Sequence, residues 1–595
     1  MRNLIPPLLP TPSPWSRCGQ GADPATDSVG CLGVSVPGYT ACLAHLGDAE
    51  RTAYLATLAP GANVDHRGTP FTESLLSDLL HALRDPMTSA PKFGSADFGW
   101  AQFDGDAEFS RADFTSFVSF YAAEFRGKAL FGAARFSHGA VFGEAQFTDI
   151  ASFPQARFSG YTSFSGAGFG GNANYGEAQF GSHALFDKAE FKGDTWFALV
   201  PFGGDVRFDE AHFSATSALG PIVCAGQMDL SGAVFADPVT LEIAARELVC
   251  HRTRWESTAT LRVRYASVDI TDAVVSAPFA IASHPVPFGA EDDSPMRETA
   301  LADLASAARV ESVQGVDAAH MVLAGTDLSE CLFIGAFHLD QIRLEGRTTF
   351  ASVPQGIHRR HHVWPTRWSP RRALAEEHHW RAQAAGLPIP DPSQAASPRQ
   401  WRIGPHHWDA ARTPDPVDVA AIYRHLRKAL EDSKNEPGAA DFYYGEMEMR
   451  RHDRTTTTRA ERGLLHGYWL LSGYGLRASR ALGWLAASML VTILLLMGFG
   501  LPQHSPKQRV TGTVPSGGGR VTFEIDKEDP SNPTANRFTI ARFEKALNTT
   551  LNSVIFRSSG QDLTTAGTYI EMTSRLLEPT LLALAVLAVR GRIRR

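Results

Sequence analysis

Three cysteines and a histidine near the N-terminus have the types and spacing to hold a metal. They are Cys18, Cys31, Cys42 and His45, the last two in the run CLAHL, which reads C-x2-H. Three thiolates and an imidazole suit tetrahedral zinc, and a small cap with little core of its own could use that ion as a structural staple. The first spacing is long and no second C-x2-C supports it, so the competing reading is buried free thiols in a small helical cap. Histidines cluster again in HRRHHVWPTRWSPRR, EEHHW and GPHHW, between residues 354 and 416. Adjacent histidines cannot all face one ion, so this stretch reads as a solvated basic linker near anionic lipid headgroups, with Trp at the interface. Glu446, Glu448 and His452 share a predicted helix, where they read as a solvated face with i,i+4 pairs. There is no P-loop, no G-x-G-x-x-G after a strand, no G-x-S-x-G and no H-E-x-x-H. The expectation is a non-enzymatic protein with no catalytic residue and no cofactor beyond the candidate zinc.

The element that must position everything else is a ladder of aromatic rings from Phe93 to Phe213. Phe109, Phe114, Phe120, Phe125, Phe131, Phe136, Phe142, Phe147, Phe153 and Phe158 step by five and six residues in strict alternation, a period of eleven. Two positions before most rings sits alanine, as at Ala107, Ala112, Ala123 and Ala129. A helix would place residues five apart on different faces, and a strand would need period two. A solenoid fits the spacing: each repeat forms one short side, every ring points inward onto the ring one coil above, and polar residues face water.

The pattern resembles the pentapeptide-repeat family, whose consensus is a small residue, a variable one, then Leu or Phe. The resemblance implies a mainly β fold, a right-handed quadrilateral β-helix, here with about 22 residues per coil instead of 20 because of the five–six step. With coils about 4.8 Å apart, the regular stretch predicts a rod of roughly 25–30 Å. After Phe213 the ladder loosens into Leu, Val, Ile and Trp, predicting a continued β-helix of wider, less regular coils as far as residue 353, broken by a loop at His284 to Asp293. The domains so predicted are a helical cap over 1–90, the β-helix over 91–353 (regular 93–213, irregular 214–353), the basic linker over 354–416, juxtamembrane helices over 417–480 and a membrane module over 481–595.

The net charge of −7 argues against a general nucleic-acid binder. Between Phe93 and Phe213, 15 acidic residues against 8 basic give too mild an excess for DNA mimicry. Six cysteines in 595 residues do not form a disulfide framework. Met1 to Pro14 has several prolines and no apolar core, so no N-terminal signal peptide is expected.

Ala481 to Leu501 carries no charge, enough to span a bilayer. Leu576 to Val589 is a second, shorter candidate that reaches spanning length from Tyr569, with Glu571, Arg575 and Glu578 facing protein or water. Arg477 and Arg480 precede the first span, and Arg590, Arg592, Arg594 and Arg595 follow the second. These basic flanks predict an integral two-span protein of the cell membrane, with both termini and the solenoid cytoplasmic and residues 502–568 outward. The order FYYGEMEMRR, LLSGYGLRASRALGWL, then a span resembles bacterial proteins that join pentapeptide repeats to a two-helix ion-channel module. In that module a pore helix, a T-x-G-Y-G filter and a second span follow. FTIARFEKALNTTLNSVIFRSS stands where the pore helix would be, but no T-x-G-Y-G follows it, and the GYG at Gly473 to Gly475 precedes the first span. Without stacked filter carbonyls there is no basis for potassium selectivity.

Two functions therefore stand. The first is a membrane-anchored solenoid acting as scaffold or sensor for a protein partner. The second is a homo-oligomeric pore regulated by the solenoid, with Asn548, Thr549, Thr550, Asn552 and Ser553 lining a re-entrant segment and Gly560 in the turn after it.

Overall fold

A computed structural model describes residues 15–22, 29–289, 295–360, 364–389, 399–409, 411–504, 507–512, 516–518, 523–555 and 560–593. Met1 to Pro14 and most of the acidic half of the expected loop, 290–293, lie outside them. The chain forms two compact units, Met1–Pro414 with Ile422–Asn435, and Asp415–Ala421 with Glu436–Arg595.

The first unit is built on a four-sided β-solenoid. Two-residue strands pair in parallel with strands one coil away: Arg135 faces Asp113 and Arg157, Ala140 faces Val118 and Thr162, Gln146 faces Glu124 and Gly168, and Ala129 faces Ala107 and Ala151. Backbone and side-chain bonds between coils span 22 residues. Strand alternation puts the small residue and the ring two positions on together inside, so Ala107 and Phe109 are both buried while Glu108 is exposed. The interior is close-packed and aromatic, as the ladder required.

The five–six alternation has a backbone cause. After Phe109 the chain makes a tight turn, Ala112 N–H donating to the Phe109 carbonyl at 3.0 Å, with Arg111 left-handed at φ 64°. The same conformation recurs every eleven residues at Ala122, Ala133, Glu144, Gln155, Gly166, Glu177, Lys188, Leu199 and Glu210. After Phe114 and its equivalents the chain instead takes a wider bend with no left-handed residue. Five-residue steps are tight corners and six-residue steps are wide ones. Only one of these corner positions is glycine, so most carry the steric cost of a Cβ at positive φ, roughly 1 kcal/mol each. Bonds to the next coil hold them there: Arg111 N–H reaches the Gly132 carbonyl at 2.7 Å and Ala133 N–H that of Pro154 at 2.8 Å.

The rings fall into two sets. All stack one coil apart, Phe109 on Phe131 at 5.1 Å and Phe136 on Phe158 at 4.5 Å, nearly parallel. Only the alternate set also meets edge-to-face across the coil: Phe120 with Phe131 and Phe131 with Phe142, both at 5.5 Å. Each such pair contributes about 0.5–1.5 kcal/mol beyond its buried area.

Beyond Phe213 the coils are irregular, as expected, and one is wider, Phe279 pairing with Met321 across an insertion; the coils before it are not wider. Strands lengthen, to Ala218–Asp229 and Val239–Val249, but the coil shortens, Val239 pairing with Ala259 and Glu242 bonding Arg262 only 20 residues on. Longer straight sides run through positions that were corners, so fewer residues are spent on bends. The ladder continues as Phe213–Phe235–Trp255, stacked at 4.7 and 4.5 Å, and the last parallel pairing joins Leu328 to Phe350.

Helices α1 (Asp48–Thr57) and α2 (Glu73–Ala82) lie at the N-terminal end. Thr72 caps α2 by accepting from Leu75 N–H, and Leu75, Leu76, Leu79 and Leu80 form its buried face. At the other end comes α3 (Ala375–Ala384), followed by α4 (Pro416–Asp432), which the unit boundary divides. The second unit holds α5 (Glu436–His452), α6 (Arg459–Ser472), α7 (Ala478–Leu495, continued by a π-helical turn Leu496–Gly500), α8 (Ile540–Val554) and α9 (Thr565–Ile593).

Candidate functional site

The structure brings the four N-terminal candidates together. The ligand atoms of Cys18, Cys31, Cys42 and His45 all lie within 4.8 Å of one another. His45 Nδ1 stands 3.3 Å from Cys42 Sγ and 3.5 Å from Cys18 Sγ, and the Cys31 and Cys42 sulfurs are 3.7 Å apart. They come from three segments. Cys18 and Cys31 are joined through backbone bonds, Cys18 N–H to Gly33 carbonyl at 2.7 Å and Gly19 N–H to Cys31 carbonyl at 3.0 Å. Cys42 and His45 flank and end the short 3-10 turn Leu43–His45. A Cβ on Gly33 would sit 2.8 Å from Cys42 Sγ, so only glycine lets the strand pass this close. The Cys31 and Cys42 sulfurs share a hydrogen bond, and Gly33 N–H reaches Cys31 Sγ at 3.3 Å; together they pull the Cys31 thiol down to about 5 against the pull of burial. The same shared bond, with burial, pushes Cys42 up. Cys224, Cys250 and Cys331 are elsewhere, buried singly in the solenoid.

Residues expected in a solvated linker instead close the C-terminal end of the solenoid. Glu376, Glu377, His378, Arg371 and Arg381 are all buried. Glu377 accepts from Arg371 Nη2 at 2.5 and 2.6 Å, from Arg381 Nε at 2.7 Å and from the Tyr423 hydroxyl at 2.6 Å. Burial works against its charge, but the two guanidiniums hold the carboxyl well below the usual range. Arg381 also lies 4.9 Å from both the Trp368 and Trp401 rings. Glu376 Oε1 accepts from the Phe333 N–H of the solenoid at 2.5 Å, while its second oxygen has no partner, and burial raises it to about 7. Of the Arg, His and Trp that read as lipid-facing, Trp368, Arg371, His378, Arg381 and Trp401 are therefore a packed cation–aromatic cluster, while Trp408 is exposed and the side chains of 357–367 lie outside the described residues. The missed signal was RRALAEEHHWR, whose opposite charges stand at helical spacing.

Glu446 and Glu448 are likewise buried, not on a solvated face. Glu448 accepts from Arg451 at 2.9 Å and from the Tyr474 hydroxyl at 3.3 Å. Tyr474 belongs to the GYG, and the structure gives that motif a local reason. Gly473, Tyr474 and Gly475 are three consecutive left-handed residues, at φ 55°, 58° and 72°, that end α6 and turn the chain into α7.

In the second unit Ala478–Gly500 and Thr565–Arg590 are long and apolar enough to cross a membrane. Between them α8 packs through Ala546 and Leu547 against Ile493, Leu496 and Met497 of the first and Ile570 of the second. Arg542, not singled out by sequence reasoning, donates to the carbonyls of Met497, Leu501 and Pro502 at 2.8–3.0 Å and so satisfies the end of α7. Gly567 abuts Gly500 so closely that a Cβ there would stand 2.3 Å from the Gly500 carbonyl oxygen. The five polar candidates of α8 separate. Thr549, Thr550 and Ser553 are buried and bond the carbonyls of Lys545, Ala546 and Thr549 in their own helix. Asn548 is exposed and Asn552 half-buried, and Gly560 is an exposed left-handed turn residue. An open apolar groove between α7 and α9 is lined by Trp484, Val491, Leu495, Tyr569, Ile570 and Leu577.

Inward aromatic rungs on four short parallel sides define a β-solenoid of the pentapeptide-repeat class. The family described as pentapeptide repeats (9 copies) matches residues 120–168 and 164–212, within the aromatic ladder, and the chain carries these repeats. No curated protein and no solved structure matches it.

Proposed function

We propose that the protein is a non-enzymatic, membrane-anchored scaffold or sensor, held by α7 and α9, that presents its solenoid to a protein partner on the cytoplasmic side. The observation that carries this reading is the exposed apolar surface of the two long helices. Leu490, Val491 and Leu494 of α7 and Leu576, Val586 and Leu587 of α9 are all about half or more exposed, which water would penalise and lipid would not. Arg477, Arg480 and Arg590 at the helix ends support a cytoplasmic solenoid and an outward 502–568 segment. The solenoid supplies flat, solvated faces of short strands, which suits binding.

The test is extraction and labelling of the full chain in membranes. Retention through alkaline carbonate, with Ser516→Cys labelled from outside by an impermeant maleimide and Asn172→Cys labelled only after permeabilisation, supports the reading. Release by carbonate sinks the anchor, and inverse labelling sinks the orientation.

A second reading, a homo-oligomeric pore regulated by the solenoid, is favoured by α8, a short helix packed between two long ones with Asn548 and Asn552 on its unburied side. Ion flux across liposomes, reduced by Asn548→Leu with Asn552→Leu, would move the assignment to a pore. These variants leave the Thr564–Gly500 and Gly567–Gly500 packing intact.

A further inference from the structure

We propose that Cys18, Cys31, Cys42 and His45 bind a zinc ion that fastens the N-terminal segment onto the first coil of the solenoid. Zinc–sulfur bonds of about 2.3 Å and a zinc–nitrogen bond of about 2.0 Å in a tetrahedron place sulfurs about 3.8 Å apart and sulfur about 3.5 Å from nitrogen. The Cys31–Cys42 separation is 3.7 Å and the two sulfur–Nδ1 separations are 3.5 and 3.3 Å. The donor set of three thiols and one imidazole is that of closed structural sites, and the Gly33 N–H already directed at Cys31 Sγ is the kind of support a bound thiolate receives. Cys31 and Cys42 are both free thiols, their sulfurs 3.7 Å apart where bonded sulfurs sit about 2.05 Å apart.

The ion has something to hold. The segment carrying Cys31 runs along the first coil, with Val34 N–H bonded to the Arg67 carbonyl at 2.7 Å. A Cβ on Gly68 would meet the Leu32 carbonyl oxygen at 2.5 Å, so the two backbones are in contact. Trp15 packs on Trp100 at 5.3 Å, under the Arg67 guanidinium at 4.7 Å. Apart from Trp15, Val34, Val36, Leu43 and Leu46 this segment has little core, and a metal supplies the folding energy that so small a core cannot. His45 is exposed and Cys18 and Cys31 are half-buried, so a chelator can reach the site.

The experiment is metal analysis of the full chain, purified in detergent without chelator under reducing conditions. The expected result is about one zinc per chain, with cobalt substitution giving the thiolate charge-transfer and intense d–d bands of a tetrahedral site. His45→Ala should retain less than about a tenth of the zinc, while His45→Cys, which rebuilds a four-thiolate site, and Cys224→Ser retain it. Chelation should lower the melting temperature of the wild-type chain and added zinc should restore it. The unsubstituted protein carries the decision, so a variant that fails to fold does not blur it. Absence of metal, with all six thiols free or with two lost to a Cys31–Cys42 disulfide, overturns the proposal.

Discussion

At the N-terminal end of the solenoid the first coil is covered by α2 and by a loop gathered around three cysteines and a histidine. At the C-terminal end the last coils are covered by α3 and a cluster of buried charges. Both ends answer the same need, since a terminal coil exposes unpaired backbone groups and one face of its aromatic core. The N-terminal end extends the apolar stack. His66 sits in the ladder beneath Phe98, fully buried, against Phe71 and Tyr54, and both its ring nitrogens are unpartnered. The C-terminal end instead meets the backbone with charge, Glu376 accepting from Phe333 N–H. The difference teaches that the regular ladder dictates its own interior but leaves the chemistry of closure open.

The largest effect should come from severing the rod between the ends. Phe142→Asp places a charge among Phe120, Phe131 and Phe164, and cooperative melting of the solenoid by circular dichroism should be lost. An unchanged melt would refute the inward ladder. Next is Glu377→Ala, which leaves Arg371 and Arg381 buried without their carboxylate and should cost about 3–5 kcal/mol, read as hydrogen exchange confined to the C-terminal end. Truncating the N-terminal end should leave that exchange pattern unchanged.

The two ends also differ in their response to pH. Burial lowers His66 to about 4 from 6.5, so the unfolded chain takes up the proton first as the solution acidifies. Its contribution is complete above about pH 6.5 and lost progressively down to about pH 4, roughly 3 kcal/mol in all. His66→Phe should remove that loss. Glu376 has the opposite sign: raised to about 7 from 4.5, it favours the fold fully below about pH 4.5 and loses that contribution as pH rises through about 7. Glu376→Gln should flatten that alkaline arm in urea titrations. His378 and His379, lowered by burial to about 3 and about 4, add acid lability at the C-terminal end too, so only the alkaline arm separates the ends. The smallest effect lies between them. Ala133→Gly, at φ 53°, should raise stability by up to about 1 kcal/mol, where Ala134→Gly, one residue on and outside the left-handed set, should not.

What could be read in the sequence follows the same division. Ring spacing forces a solenoid because steps of five and six keep rings on one face of neither a helix nor a strand, and Phe109 to Phe158 all point inward. Cys18, Cys31, Cys42 and His45 were legible by type, although nothing in a spacing of 13 residues shows that Cys18 and Cys31 are neighbours; a backbone pairing through Gly33 brings them together. The coil width beyond Phe213 was not legible, because aliphatic rungs do not mark corners as Phe does. Nor was the C-terminal closure. Arg371, Glu377, Arg381 and Tyr423 look solvent-loving singly and become buried only as a hydrogen-bonded set around one carboxylate, in which Tyr423 comes from 46 residues away.

The left-handed corner recurs at half the length of a coil, and this gives the rod a gearing rule. Inserting 22 residues into the regular stretch adds one rung and leaves every downstream side facing as before. Inserting one eleven-residue period, from one corner such as Arg111 to the next at Ala122, keeps tight corners over tight corners and rings over rings. It also rotates everything downstream by half a turn about the axis. Lengthening this solenoid by gene duplication can therefore exchange which side of the rod faces a given direction, without disturbing a single rung.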